Sequence, residues 1–315
     1  MIVLYGTDSV PPEAKGAALA IGNFDGVHRG HQALLQAARE AAGSNGRAGV
    51  IAFEPHPREF FQPDKPHFRL TSLPRKLELI EMAGMDVAVV LRFDAALAGL
   101  TAETFIACVL VNSLQVAHVV VGYDFRFGRG RIGDPETLQR AGRAHGFGVT
   151  VVAQVAEAGE VFSSSAVRAE LAQGDVAGAA EMLGHWWRVS GKVVSGAKRG
   201  TGLGFPTANI TLPPSTALAH GIYAVRVIVG GVAYPGAAYL GTRPTFDNGA
   251  PVLEVFLFDF EGELYGQEIA VDFIGHIRGD RRFESTEALV AQMQADCNRA
   301  REVLAQAATS PAATR

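Results

Sequence analysis

Two histidines three residues apart, His28 and His31, end the run Gly22-Asn23-Phe24-Asp25-Gly26-Val27-His28-Arg29-Gly30-His31. At the start of a helix, imidazoles at that spacing point the same way. They can donate N–H groups to a triphosphate and stabilise charge developing on phosphorus and on a leaving pyrophosphate. Glycines let the backbone turn tightly and approach a ligand, and the free N–H groups of a helix N-terminus favour phosphate. No G-K-[ST] closes the loop and G-x-G-x-x-G is absent, so the pattern favours adenylyl transfer over kinase or dinucleotide-binding chemistry. H-x-G-H alone is a weak signal, since paired histidines near a turn are commonly surface residues. A second cluster, Phe162-Ser163-Ser164-Ser165-Ala166-Val167-Arg168, offers hydroxyls and a guanidinium for phosphate. Taken alone, it fits an N-cap serine run beside a surface arginine better.

The second half carries a different set. A basic, glycine-rich stretch at 196–204, with Lys198, Gly200, Gly202 and Gly204, leads into Phe205-Pro206-Thr207-Ala208-Asn209. Such glycines let backbone N–H groups face phosphate oxygens. The Thr207 hydroxyl and Asn209 carbonyl are hard oxygen ligands suited to Mg²⁺, and residues two apart share a side if the chain is extended. Transfer of phosphate to an alcohol also needs a base. Glu254 is the candidate, because period-two alternation sets it on the face of Phe256 and Phe258. Plainer readings stay open: the glycines suit a flexible hairpin, and Glu254 suits an edge strand with a wet face.

Elements that could position these groups follow from periodicity. Up to about residue 185, apolar runs at 17–22, 49–53, 87–91, 117–121 and 149–153 alternate with helical patterns at 32–42, 75–83 and 102–110. That alternation predicts an α/β, doubly wound parallel sheet, which binds ligands at the carboxyl ends of its strands. From about Trp187, strand-like runs at 187–194, 221–229, 252–260 and 268–274 are broken by Gly and Pro, predicting a small antiparallel β-barrel. A final amphipathic helix is expected over 286–307, with Ser285 as N-cap and Glu287 in its first turn. The predicted domains are 1–185 and 186–307, with a disordered tail at 308–315. The chain's 315 residues suit two domains. With 48% hydrophobic and 19% charged residues and a net charge of −4, it has no sequence-wide basic field for nucleic acid or membrane. Two cysteines without metal-like spacing, no apolar span and no leader pattern predict a cytoplasmic protein.

In order along the chain, I-G-N-F-D-G-V-H-R-G-H (21–31), F-E-P-H-P (53–57), V-G-Y-D-F-R-F-G-R-G-R-I-G-D (121–134), F-S-S-S-A-V-R (162–168) and P-T-A-N (206–209) occur together. This set resembles the prokaryotic bifunctional riboflavin kinase/FMN adenylyltransferase, or FAD synthetase, family. The resemblance runs through nearly the whole chain. It implies phosphorylation of riboflavin to FMN by the C-terminal half. Adenylyl transfer from ATP to FMN by the N-terminal half would then give FAD and pyrophosphate.

For the N-terminal site the resemblance implies ATP contacts from His28 and His31, with Gly22, Asn23, Phe24, Asp25 and Gly26 shaping the loop. Ser163, Ser164 and Arg168 would close on the phosphates. Pro55, His56, Asp124, Phe125, Arg126, Phe127 and Gly128 would line the flavin side. For the C-terminal site it implies that Thr207 and Asn209 hold Mg²⁺ and ATP together with Gly191, Lys198, Gly200, Gly202 and Gly204. Glu254 would be the base for the riboflavin 5′-hydroxyl, and Arg282, Phe283 and Glu284 would lie on the flavin side. Ser165 stands where the family more often has threonine, which keeps the hydroxyl. The segment at 241–246 matches the family too, although locally it reads as a turn. Two other readings remain: an adenylyltransferase whose barrel only binds substrate, and a flavin sensor without catalysis. Intact P-T-A-N and Glu254 oppose the first, and the want of a basic recognition helix opposes the second. Oligomeric state is not readable from the sequence.

Overall fold

A computed structural model describes residues 1–157, 160–194, 205–242 and 251–307. Contact density divides the chain into two compact units. One holds residues 1–67 and 71–163; the other holds 68–70 and 164–315.

In the first unit six strands are all parallel: β1 (Ile2–Tyr5), β2 (Ala18–Ile21), β3 (Ala48–Glu54), β4 (Val87–Arg92), β5 (His118–Gly122) and β6 (Gly148–Val152). Their order is β1-β4-β3-β2-β5-β6. Both faces are covered, so the strands read as unbroken apolar runs. On one face Leu19, Ile21, Ile51, Val89 and Val119 pack with Phe105, Leu110 and Leu138. On the other, the smaller Ala20, Ala52 and Ala88 meet Leu34, Leu35 and Ile80 of α1 (Arg29–Ala42) and α3 (Leu73–Met82). The short α2 (Pro57–Phe61) lies between β3 and α3 in sequence.

Strand order reverses beside β2: the chain proceeds through β3 and β4 on one side, then returns to place β5 on the other. At such a switch point two loops diverge and leave a crevice. Here those loops follow β2 and β5, two of the segments singled out for chemistry.

The expected helix at 102–110 instead divides. After α4 (Ala95–Gly99), α5 (Ala102–Phe105) is one turn, and Ile106–Ser113 is π-helical. β1 and the two-residue strands β7 (Ala156–Glu157) and β8 (Glu160–Val161) were not expected, being too short for their period to register. Beyond β5 lies α6 (Pro135–His145), capped by Asp134.

The second unit starts with α7 (Ser164–Gln173) and α8 (Val176–Leu183). Its antiparallel sheet has the order β10-β13-β12-β11-β14-β9, formed by β9 (Arg188–Lys192), β10 (Ala208–Thr211), β11 (Gly221–Val229), β12 (Val232–Thr242), β13 (Pro251–Leu257) and β14 (Glu268–Arg278). A bridge from Val194 to Asn209 joins the two edge strands, so the sheet nearly closes on itself. The last helix, α9 (Thr286–Ala307), is capped as expected: the Ser285 hydroxyl accepts from Ala288 N–H at 3.1 Å. It packs against β11, β12 and β14, where Cys297, Ala300 and Leu304 meet Ala224, Ala237 and Ile274.

Strand β12 escaped sequence reading because Pro235, Gly236 and Gly241 interrupt it, residues that usually mark edges and turns. Gly241 and Thr242, read as the start of a turn, are its last rungs, opposite Val252 and Pro251. Arg243 to Phe246 lie outside the described residues.

Candidate active sites

The loop after β2 is built from inside. Phe24 and Val27 bury their side chains in the α1-side core while Phe24, Gly26 and Val27 all take positive φ, at 50°, 83° and 43°. For the two non-glycine residues that conformation costs on the order of 1 kcal/mol each, so surrounding contacts must hold it. Asp25, 3% exposed, supplies one such contact: its carboxylate accepts from Thr71 N–H at 3.1 Å. The Thr71 hydroxyl accepts in turn from Gly26 N–H at 3.1 Å.

The loop delivers His28 as N-cap of α1. Its Nδ1 accepts from His31 N–H at 3.3 Å, which places the ring proton on Nε2 when the ring is neutral. The two imidazoles stack with centroids 3.7 Å apart. Gly30 between them sits in a tight place, since a Cβ there would lie 3.0 Å from the His28 ring and from the Phe162 carbonyl. The Arg29 guanidinium lies over the Phe162 ring, 4.7 Å from its centroid, and pairs with Glu157. The segment ending at Ser163 thus abuts the start of α1. Burial, then His28 and Lys76, hold the His31 imidazole well below the ordinary histidine range, so it is neutral at physiological pH. Its Nδ1 is buried without a hydrogen-bond partner. Lys76, on α3, is itself buried and pairs with Glu54 at 3.7 Å.

At the neighbouring strand ends, His56 caps α2 and its ring lies tilted against that of His67, centroids 4.4 Å apart, with exposed Pro55 before it. After β5, exposed Asp124 and half-buried Phe125 follow Gly122. Phe125 stacks on Phe127 at 5.5 Å, and Phe127 is buried against Phe105 at 5.7 Å. Phe127 therefore supports the loop from within. Arg126 pairs with Asp134 at 3.3 Å. Gly128, at φ 72°, passes so close to α5 that a Cβ would meet Ala102 N at 2.7 Å. In the second unit, the Arg168 Nε donates to the Phe68 carbonyl at 2.6 Å, and Ser164 opens α7.

The barrel holds a cleft of about 810 Å³ lined by Thr207, Glu254 and Phe256, by Arg282 and Phe283, and by residues of α9. Cross-strand register explains the grouping. Asn209, Glu254, Tyr239, Ile222 and Arg278 are successive partners across β10, β13, β12, β11 and β14, so their side chains share one face. Four of the five line the cleft, while Asn209 is 5% exposed. Phe258 falls just past β13 and stays beside Phe256 at 5.7 Å.

Arg278 binds Asp296 of α9 through Nε and Nη2, the latter at 2.7 Å, and Gln292 adds a bond to the same carboxylate at 2.9 Å. The Phe283 ring sits 5.7 Å from the guanidinium carbons of Arg278 and Arg281. Glu284 is exposed and is not among the walls. Gly191 is explained by packing, since a Cβ there would strike Ile210 at 2.4 Å. Lys198, Gly200, Gly202 and Gly204 lie outside the described residues.

The FAD synthetase family matches residues 10–166, and the riboflavin kinase family matches residues 183–304. A bifunctional riboflavin kinase/FMN adenylyltransferase of Escherichia coli (strain K12) is 44% identical over 301 residues, covering 95% of this chain and 96% of its own. The chain belongs to the bifunctional riboflavin kinase/FMN adenylyltransferase family. A relative of that description in Pseudomonas fluorescens is 41% identical over 98% of this chain and 99% of its own. Among solved structures, one described as a macrolide-efflux protein from Streptococcus pneumoniae has a TM-score of 0.84 and 29% identity, covering 94% of this chain and 97% of that one. Among the described residues, no helix here is long and apolar enough to cross a membrane.

Sequence reading of this riboflavin kinase/FMN adenylyltransferase family member missed Thr71, Lys76, Tyr239, Arg278 and Asp296. Only the threonine-serine pair before α3 carried a local signal, as a helix start. Among the described residues no three His, Cys, Asp or Glu side chains gather as a metal cage. The Thr207 and Asn209 donors suit instead a Mg²⁺ that keeps phosphate and water ligands. Asn209 Nδ2 donates to the Thr207 carbonyl at 3.4 Å, which ties the two residues' positions together.

Proposed function

We propose that this chain carries out both reactions for which its family is named, riboflavin phosphorylation in the barrel cleft and adenylyl transfer to FMN at the switch-point crevice. The observation that carries the reading is the shared row of Asn209 and Glu254, which sets a carboxylate beside the Thr207–Asn209 segment in a cleft large enough for a flavin.

In the barrel, Glu254 accepts the proton of the riboflavin 5′-hydroxyl while that oxygen bonds to the γ-phosphorus and ADP leaves. Thr207 and Asn209 would hold Mg²⁺ brought with ATP, which offsets phosphate charge when bound. Phe256 and Phe283 supply apolar walls, with Arg282 at the flavin end. In the crevice an FMN phosphate oxygen attacks the α-phosphorus and pyrophosphate departs. No protein base is needed, because that phosphate, with a second pKa of about 6, is already ionised. The His28 Nε2–H and a neutral His31 donate to the phosphates, and Phe125 offers the flavin a face; the family resemblance is what assigns Ser163, Ser164 and Arg168 to the phosphates as well. We set the functional boundary at 185/186, supported by the riboflavin kinase match starting at 183. Use of ATP by both reactions supports a cytoplasmic location.

A chromatographic time course with riboflavin, ATP and Mg²⁺ tests this. FMN that rises and then converts to FAD is the expected result. FMN alone would remove the adenylyl-transfer assignment, and no flavin product would remove both.

A further inference from the structure

Thr71 lies in neither catalytic loop, and none of the motifs read from the sequence includes it. Its hydroxyl and backbone nonetheless make the two bonds that close the loop after β2. Thr71 N–H donates to Asp25 Oδ1 at 3.1 Å, and Gly26 N–H donates to Thr71 Oγ1 at 3.1 Å. The hydroxyl also stands 3.4 Å from the same Asp25 oxygen, to which it can donate. All of this is out of water, with Asp25 and Thr71 3% and 6% exposed. A buried bond with both partners satisfied is geometrically exact and costly to break.

The pinned segment is the one with positive φ at Phe24, Gly26 and Val27. Its exit sets the direction in which His28 enters α1, caps it and stacks on His31. Thr71 also begins the turn into α3, whose Lys76 is buried with Glu54. One helix start therefore supports the phosphate loop from behind.

We infer that Thr71 is a positioning residue for adenylyl transfer, holding Asp25 and Gly26 so that the His28–His31 pair meets the phosphates in reactive geometry. The inference rests on the adenylyl-transfer reading given above. Such a group acts through preorganisation, so its loss falls on kcat at saturating substrate more than on FMN affinity.

The test compares Thr71→Val, which keeps shape but loses the hydroxyl, with Thr71→Ser, which keeps the hydroxyl but loses a methyl. FAD formation from supplied FMN is measured on the full chain, with riboflavin phosphorylation alongside. Expected are a fall in kcat of tenfold or more for Thr71→Val with KM for FMN within twofold, and recovery to within threefold in Thr71→Ser. Riboflavin phosphorylation is unchanged in both. If Thr71→Val will not fold, Thr71→Ala carries the same prediction. Retention of more than half the kcat without the hydroxyl would overturn the inference, as would an equal loss in Thr71→Ser, which would mean packing rather than hydrogen bonding. Absence of FAD formation in the unaltered protein would overturn the functional reading itself, a result distinct from either.

Discussion

Asn209 and Glu254 are direct partners across the β10–β13 ladder, so one face of two adjacent strands holds an amide and a carboxylate side by side, the carboxylate in the wall of the cleft and the amide buried next to it. Tyr239 completes the row on β12. Side chains opposite one another in a ladder lie about 5 Å apart at Cβ, close enough to serve a single reacting group. The ladder thereby sets the Glu254 carboxylate beside the Thr207–Asn209 segment, the arrangement that the proposed kinase reaction uses.

Replacing Glu254 by Gln keeps size and hydrogen bonding but removes the proton acceptor. Riboflavin phosphorylation is expected to fall by roughly 10²–10⁴. FAD formation from supplied FMN should persist within twofold. Loss of both reactions together would contradict two separate sites.

His28 both caps α1 and offers Nε2–H. His28→Asn separates the two, since asparagine is a good N-cap but cannot reach as far. Melting should shift by less than about 1 kcal/mol, while kcat for FAD formation drops about 10²-fold. An active, stable variant would show that only capping matters here.

Asp296 is buried and ties Arg278 beside the cleft. Asp296→Ala leaves that cation without its carboxylate, at a cost of roughly 3 kcal/mol. That corresponds to a drop on the order of 10 °C in the second unit's melting temperature. The KM for riboflavin should rise as well, because Arg278 and Phe283 then lose their placement. Calorimetry and initial rates check the two effects independently.

The His31 imidazole, lowered by burial first and then by His28 and Lys76, titrates below the unfolded value of about 6.5. Between the two values the unfolded chain holds a proton that the folded chain does not. Stability of the first unit therefore falls as pH drops through about 6.5 and levels off below the folded value. His118, lowered by burial, adds to the same slope. His31→Asn should make the melting curve against pH shallower, and an unchanged slope would count against a neutral, buried His31.

Burial pushes the Cys297 thiol up to about 11, with Asp296 beside it, whereas Cys108 is exposed. At pH 8 only about one Cys297 in a thousand is thiolate. One thiol per chain should alkylate quickly and one slowly, with peptide mapping assigning the fast one to Cys108.

Most strands of the first unit were legible to within a residue or two, because a sheet covered on both faces writes continuous apolar runs. The last helix and its Ser285 cap were legible for a different local reason, apolar residues at helical spacing behind an N-cap hydroxyl. Strand β12 was not, since Pro235 and Gly236 are breakers in a chain read alone yet sit inside a ladder held by both neighbours. The helix expected at 102–110 likewise hid its π-helical part, because eight residues make too few turns for apolar spacing to separate the wider π winding from an α winding.

Residue types and short spacings determined the chemistry on offer: two histidines at a helix start, hydroxyls before an arginine, and a glutamate among aromatics. Those signals are local, and so they survive in one dimension. Only the tertiary structure decided which distant groups meet. Asp25 finds Thr71, Glu254 finds Asn209 and Tyr239, and Arg278 finds Asp296, because strand register and helix docking are set by how whole faces bury their apolar surface. A register one residue away would turn Glu254 to the opposite face, and nothing in its own neighbours along the chain says which register wins.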